Sequence, residues 1–383
     1  MVTVKAGSHV YQLLQLLAIA GEFPASSLHL LGNERVIKAL VHRLETTQVI
    51  GFTREDAYRT KVFQVKGYRD MRTVKLYSGA LLMLRKLHPE AYTYYMDSFQ
   101  QHRFSGSVHH IGRNHRVGEA VALVMMAGLE FRPYVLPTLF GSAIITKEFP
   151  KPSFYIARNI KGSEFDDMDK TMFTRIVGAL FYPGGCYAVY NTRNAVMKWS
   201  GVGEIRAKLY LSGIKPYNAG SHGVESALLL GNDPGVALQT VLESDKTKNP
   251  RKTMRFDKIY RSVHFVPLNS DGIQLLRVLT LPGWNEKILD ALFEPEQRPK
   301  GYGFMEYDAR IDGVYVFSHL DSDLARLIRF REGLCLETET ENQFEVLGYP
   351  WQAEFLKAYL GGIPRLRIKI IKMEAILGYI LEE

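Results

Sequence analysis

The stretch YAVYNTRNAVMKWSGVGEIRAKLYL, Tyr187 to Leu211, decides how the second half of the chain is read. At a spacing of two it gives a pair of strands joined by a tight loop. Glu204, Arg206 and Lys208 then share one face, with Ile205, Ala207 and Leu209 opposite. Nucleases of the PD-(D/E)xK type place an acid on one strand and Glu-x-Lys on the next. The carboxylates hold a divalent cation and the lysine helps activate water. Here the second element is Glu-x-Arg, and the first offers Asn191, an uncharged amide, where an acid is wanted. Asp166, Asp167 and Asp169 are acids upstream, in a segment that reads as a loop or helix cap. The expectation is a nuclease-like architecture without its chemistry: no catalytic residue, no metal and no cofactor. The alternative is a metal-dependent nuclease centred on Glu204 with Lys208, and the plainer reading is a solvated sheet face of alternating charge.

Working outward, strands and helices alternate from about residue 150. SFYIARNI reads as a strand, and EFDDMDKTMFTRIVGALF as loop and helix. GVESALLLGNDPGVALQTVLES reads as two short helices. VHFVPLNSDGIQLLRVLTL reads as strand, Asp-Gly turn and helix, an order that RIDGVYVFSHLDSDLARLIRFRE repeats. In the tail, Leu366, Ile368 and Ile370 alternate before a helical end. This pattern predicts a mixed α/β domain over 139–383. Cys335 falls in a predicted strand. Between Lys246 and Arg261 seven basic residues face one acid, Asp257, so Lys248, Arg251 and Lys252 are candidates for phosphate contact. A solvated loop explains them equally well. LLGNDPG lacks the Lys-Ser/Thr of a nucleotide-binding loop.

Residues 1–72 predict three short helices and a hairpin. Ser8 caps the first helix, Pro24 opens the second, and the third runs through NERVIKALVHRLETTQVI. On that third helix Val36, Ile37, Leu40, Val41 and Leu44 line one face, while Arg35, Lys38 and His42 line another. QVIGF and TKVFQVKGY supply the strands. This is the order of a winged helix-turn-helix domain, whose third helix enters the major groove. The candidate DNA contacts are Arg35, Lys38, His42 and Arg43, with Arg59 and Lys61 on the wing. A winged helix used for protein contacts is the alternative. Residues 73–138 read as a helical segment. Its His102, His109, His110 and His115 offer no clear metal-ligand spacing; a solvated or phosphate-facing helix start is the plainer reading, and Arg113, His115 and Arg116 could equally face nucleic acid.

Composition agrees. With 383 residues and 46% hydrophobic content, the chain can bury a core in two or three domains. A net charge of +8 favours a polyanionic partner. Two cysteines, Cys186 and Cys335, lie in no CxxC cluster, which excludes a thiolate zinc site and suits a reducing cytoplasm. The N-terminal apolar stretch is broken by Gln12 and Gln15, unlike a signal peptide, and no apolar run is long enough for a membrane span.

Taken together, VYQLLQLLAIAGEF…NERVIKALVHRLETTQVI…TKVFQVKGY, then HHIGRNHRVGEAVALVMMAG, then the Tyr187 stretch resemble the replication-relaxation proteins of plasmids and integrative elements in Gram-positive bacteria. The resemblance implies an α+β chain: an N-terminal winged helix, a helical middle segment and a mixed α/β domain like a degenerate PD-(D/E)xK nuclease. It implies a DNA-binding accessory role in replication or conjugative mobilisation, with DNA and replication or mobilisation proteins as partners. A protein–protein module of a mobile-element complex is the remaining alternative.

Overall fold

The structure is a computed structural model that describes residues 2–53, 55–103, 108–129, 152–161, 175–197, 199, 201–214, 224–246, 254–299, 305–337 and 341–381. It is a mixed α/β protein in two compact units, residues 1–137 with 154–163, and residues 138–153 with 164–383. The strand expected at 140–150 lies outside the described residues.

The first unit runs β1 (Val2–Thr3), α1 (His9–Ala20), β2 (Glu22–Pro24), a 3-10 segment Ala25–Leu31, α2 (Glu34–Leu44), β3 (Gln48–Gly51), β4 (Tyr58–Thr60), β5 (Phe63–Lys66), β6 (Thr73–Leu76), α3 (Ala80–Leu87), α4 (Pro89–Ser98), α5 (Val108–Met126), β7 (Ser153–Ile156) and α6 (Ala157–Lys161). Ser8 caps α1, its hydroxyl accepting from the Tyr11 amide at 3.4 Å. Leu13, Leu16, Leu17 and Ile19 then bury completely, and α1 packs on α4 and α5. Gly21 ends α1 at φ +75°, and a Cβ there would lie 2.3 Å from the Phe99 ring, so only glycine fits.

Pro24 closes β2 instead of opening a helix, and the second predicted helix is the 3-10 segment. β3 pairs antiparallel with β4, with Val49 opposite Arg59, so the second strand of the hairpin begins within TREDAYR, the stretch expected to turn, and not in TKVFQVKGY; β1 joins β3 in parallel. TKVFQVKGY is not one strand. Val62 divides it: its N–H bonds Leu44 O at 2.9 Å and its carbonyl accepts from Tyr77 at 2.8 Å. β5 beyond it belongs to a separate antiparallel sheet, in the order β2-β6-β5.

The second unit runs β8 (Ile176–Tyr182), β9 (Gly185–Arg193), α7 (Val202–Ile214), β10 (Ser226–Gly231), α8 (Pro234–Asp245), β11 (Ser262–Pro267), α9 (Ser270–Leu279), α10 (Trp284–Leu292), β12 (Ala309–Ile311), β13 (Val314–Ser318), α11 (Leu324–Leu336), β14 (Gln343–Gly348), α12 (Ala353–Leu360), β15 (Leu366–Ile370) and α13 (Met373–Leu381). One plan is used twice. β8 and β9 pair antiparallel, then α7, β10, α8 and β11 extend the sheet in parallel. β12 and β13 pair antiparallel, then α11, β14, α12 and β15 do the same.

Several expectations change here. Glu204, Arg206 and Lys208 are on a helix, not a strand, so they do not form one alternating face. The helical spacing is carried by Glu204, Ala207 and Leu211, all buried, while Leu209 is 65% exposed. Glu204 also reaches back to the Gly201 N–H at 2.8 Å, the reciprocal bond of a helix start. Glu, Arg, Ala, Lys and Leu are strong helix formers, so propensity and burial both outvote the charge alternation. Ile176–Tyr182 is a strand where a helix was expected. SALLLG is likewise the parallel strand β10. Covered on both faces, it shows an unbroken apolar run in place of alternation. Cys335 is in α11 and exposed. β11, β13, β15 and α13 match the predicted elements.

Candidate nucleic-acid face and a buried acidic cluster

The helix α2 is held by Asn33, whose side-chain oxygen accepts from the Arg35 and Val36 amides at 3.1 and 3.3 Å. Ile37, Val41 and Leu44 bury against the unit, and this turns Arg35, Lys38, His42 and Arg43 outward to solvent. Val36, expected inside, is 52% exposed among them. Lys38 pairs with Glu34 at 2.5 Å, one turn back, on the exposed face. Arg59 on β4 and Lys61 just after it are exposed too. The same unit holds a basic pocket of about 320 Å³ lined by Arg103, His110, Arg113 and Arg158. Burial, with Arg158 nearby, lowers the Arg113 pKa. His115 is fully buried, so it faces no ligand in solvent. His102 bonds Tyr95 at 2.6 Å, and the side chain of His109 lies outside the described residues.

The Glu204 centre is already engaged. One carboxylate oxygen takes Arg175 Nη1 at 3.1 Å and the other takes the Gly201 amide. Lys208 Nζ donates to Glu225 at 2.9 Å and to Ile259 O at 3.1 Å. Asn191 is buried and accepts from the Arg193 amide. In the basic run, Arg255 is bound by Asp257 at 2.9 Å and by Glu332 at 2.8 Å, while Lys248, Arg251 and Lys252 lie outside the described residues.

A cluster with no counterpart among the sequence expectations lies in the second unit, where the β13–α11 loop meets β11. His264 and Asp323 form an isolated antiparallel bridge, and Phe265 N–H bonds Ser322 O at 2.9 Å. His264, Asp321 and Asp323 are all buried, each offering a ligand atom within 4.8 Å of the others. The His264 Nδ1 lies 2.8 Å from the Asp321 carbonyl, an approach only Nδ1–H can make, which leaves Nε2 as the ring's lone pair. Asp323 caps α11: its Oδ1 accepts from Val263, Ala325 and Arg326 amides at 2.9, 2.9 and 3.2 Å. Its Oδ2 is buried without a hydrogen-bond partner among the described residues.

Arg326 crosses the cluster, donating to Asp321 at 3.0 Å and Asp308 at 2.7 Å, with its plane over Phe317. Burial opposes charge on Arg326, but Asp308, Asp321, Asp323 and Glu306 more than offset it and keep it protonated. Burial pushes the Asp308 carboxyl up in spite of Arg326. Burial is the largest influence on Asp321 and acts in the same direction, but Arg326, the neighbouring His264 and His319 and the Asp323 amide together outweigh it and hold the carboxyl below its usual range. Next to them, burial drops the His319 imidazole to about 4, and neither of its ring nitrogens has a hydrogen-bond partner among the described residues. The cavity in front measures about 620 Å³.

The available signal was His319-x-Asp321-x-Asp323, three polar side chains between a strand and a helix. It lies where α/β sheets place ligands, beyond the carboxyl end of a strand. No family model matches the chain, and neither a curated protein nor a solved structure matches it.

Proposed function

We propose that the chain is a duplex-DNA-binding protein whose first unit works as a winged helix. In this reading α2 enters the major groove and the β3–β4 hairpin follows the backbone. The observation that carries it is the outer face of α2, where Arg35, Lys38, His42 and Arg43 stand in solvent on a helix fixed from beneath by Ile37, Val41 and Leu44. Arginine and lysine supply phosphate and guanine contacts, and Val36 between them is apolar, as a thymine methyl requires. The excess of base over acid in the whole chain favours the same partner. The setting implied by the sequence resemblance is replication or conjugative mobilisation of a plasmid or integrative element, in the cytoplasm. The second unit then serves as a platform for protein partners or added backbone contacts. Among the described residues, no helix is long and apolar enough to cross a membrane.

Titrating a labelled duplex against the full chain at rising salt tests this. A steep fall in affinity, made shallower in Arg35→Ala/Lys38→Ala, is expected. Affinity that is flat with salt, or the same in the double variant, overturns the reading. Complete absence of nucleic-acid binding leaves the protein-interaction role in its place.

A further inference from the structure

The second unit holds a set of polar atoms that the DNA-binding reading does not use. Asp323 is fully buried, and its three bonds from backbone amides all go to Oδ1. Among the described residues Oδ2 takes none, although it carries half of a formal charge and is shielded from solvent. An unpartnered buried carboxylate oxygen costs more than a neutral group in the same place. Such an orphan in a folded protein calls for a partner that is a donor or a cation. Asp323 shares its place with two more lone-pair groups, the Asp321 carboxylate and the His264 ring, each of the three residues offering one ligand atom within 4.8 Å of the others. His264 is set for ligation: its Nδ1–H is committed to the Asp321 carbonyl, and the ring is wedged edge-on against Trp284 and Tyr187, with centroids at 5.4 and 5.6 Å. A hydrogen bond on one nitrogen that fixes the tautomer and aims the other is how proteins prepare a metal-binding imidazole.

From this juxtaposition we infer that His264 Nε2, Asp321 and Asp323 Oδ2 bind one divalent first-row transition cation at the mouth of the 620 Å³ cavity. One nitrogen and two carboxylate oxygens suit Mn²⁺ or Zn²⁺ better than Mg²⁺, which prefers oxygen and keeps its water. The charge balance agrees. Five carboxylates line the cavity (Glu286, Glu306, Asp308, Asp321 and Asp323) against three guanidinium groups, Arg261, Arg326 and Arg329. A cation held at about 2.1 Å by three ligands needs them within roughly 4.2 Å of one another, so a small contraction closes the site. Arg326 already draws Asp321 toward the cluster, and the α11 cap fixes Asp323, so little has to be ordered on binding.

The test uses the full chain, stripped with chelator and titrated with Mn²⁺, the free ion being followed by its electron paramagnetic resonance. One saturable Mn²⁺ per chain is expected, with Mg²⁺ competing weakly and Zn²⁺ strongly. Spin-echo modulation from a directly bound imidazole nitrogen is expected in the wild type. Asp323→Asn keeps the Oδ1 cap and removes the anionic ligand; His264→Asn keeps a donor near the Nδ1 position and removes Nε2. Each is expected to weaken Mn²⁺ by roughly tenfold or more. Mn²⁺ is also expected to raise the melting temperature of the wild type and of Glu204→Gln, but not of the two cluster variants. Absence of saturable binding overturns the inference. So does wild-type affinity in both folded cluster variants, or no imidazole nitrogen on the bound ion. If the variants do not fold, the wild-type stoichiometry, spin-echo and melting shift decide alone. DNA affinity is read separately, so failure here leaves the function of α2 untouched.

Discussion

Helices α2 and α11 begin in the same way and end up as opposites. Each is capped by an Asx side chain that accepts the amides two and three residues on, Asn33 in one and Asp323 in the other. Each carries several basic residues. On α2 the basic side chains stand in solvent, Lys38 paired there with Glu34 on the exposed face. On α11 every arginine is occupied: Arg326 by Asp308 and Asp321, Arg329 by Glu306 at 2.6 Å, and Arg331 by Asp245 at 2.6 Å with its plane over Tyr359. The number of charges on a helix therefore says little about its partner. What decides is whether burial of the other face leaves the charges facing water or facing carboxylates. α2 keeps a long-range field for a polyanion, whereas α11 uses the same residue type to hold a strand edge and a loop together.

The largest effect should come from breaking α11. Arg326→Met leaves Asp308 and Asp321 buried without their cation, and removal of one partner from a buried pair costs about 3–5 kcal/mol. Urea unfolding of the variant measures it, and a loss below about 1 kcal/mol would mean that the cluster is wetter than its geometry implies. Next comes Asp323→Ala, which strips three amides of their acceptor and should cost about 2 kcal/mol, while Asp323→Asn loses much less. Equal losses for the two would show that charge, not capping, is what Asp323 supplies. Asn33→Ala on α2 should cost about 1 kcal/mol, since that cap is exposed and serves two amides.

The same contrast explains what was legible in the sequence. Ser8, the buried stripe of α1, the alternation in β15 and the strand–helix order at β11 and β13 are local signals, and local physics produced them. The Tyr187 stretch misled because Glu204, Arg206 and Lys208 satisfy a period of two by coincidence, while the period that matters is written in Glu204, Ala207 and Leu211. β10 misled in the opposite way, since a strand buried on both faces has no polar side to alternate with. The exposed cations of α2 were readable because one helix supplies both the buried stripe and the charges. The acidic cluster was not, because His264 meets the Asp321 carbonyl across 57 residues of chain, through the packing of α11 on β11. Only the polar triplet before α11 hinted at it.

The smallest expected change in stability belongs to the substitution with the clearest functional consequence. Arg35→Ala/Lys38→Ala removes two exposed side chains from a helix whose anchoring residues lie on the other face. Its unfolding midpoint should match the wild type, because neither side chain fills core volume and the Lys38–Glu34 pair is open to solvent. In the same protein the slope of log affinity for duplex DNA against log salt should become shallower by about 0.9 for each phosphate that the variant no longer neutralises. The matching arginine replacement on α11, Arg326→Met, should do the reverse, lowering stability while leaving the salt slope of any DNA complex formed by the folded protein as it was. If the α2 variant unfolds early, or the α11 variant changes the slope, the assignment of exposed charge to recognition and buried charge to structure is wrong.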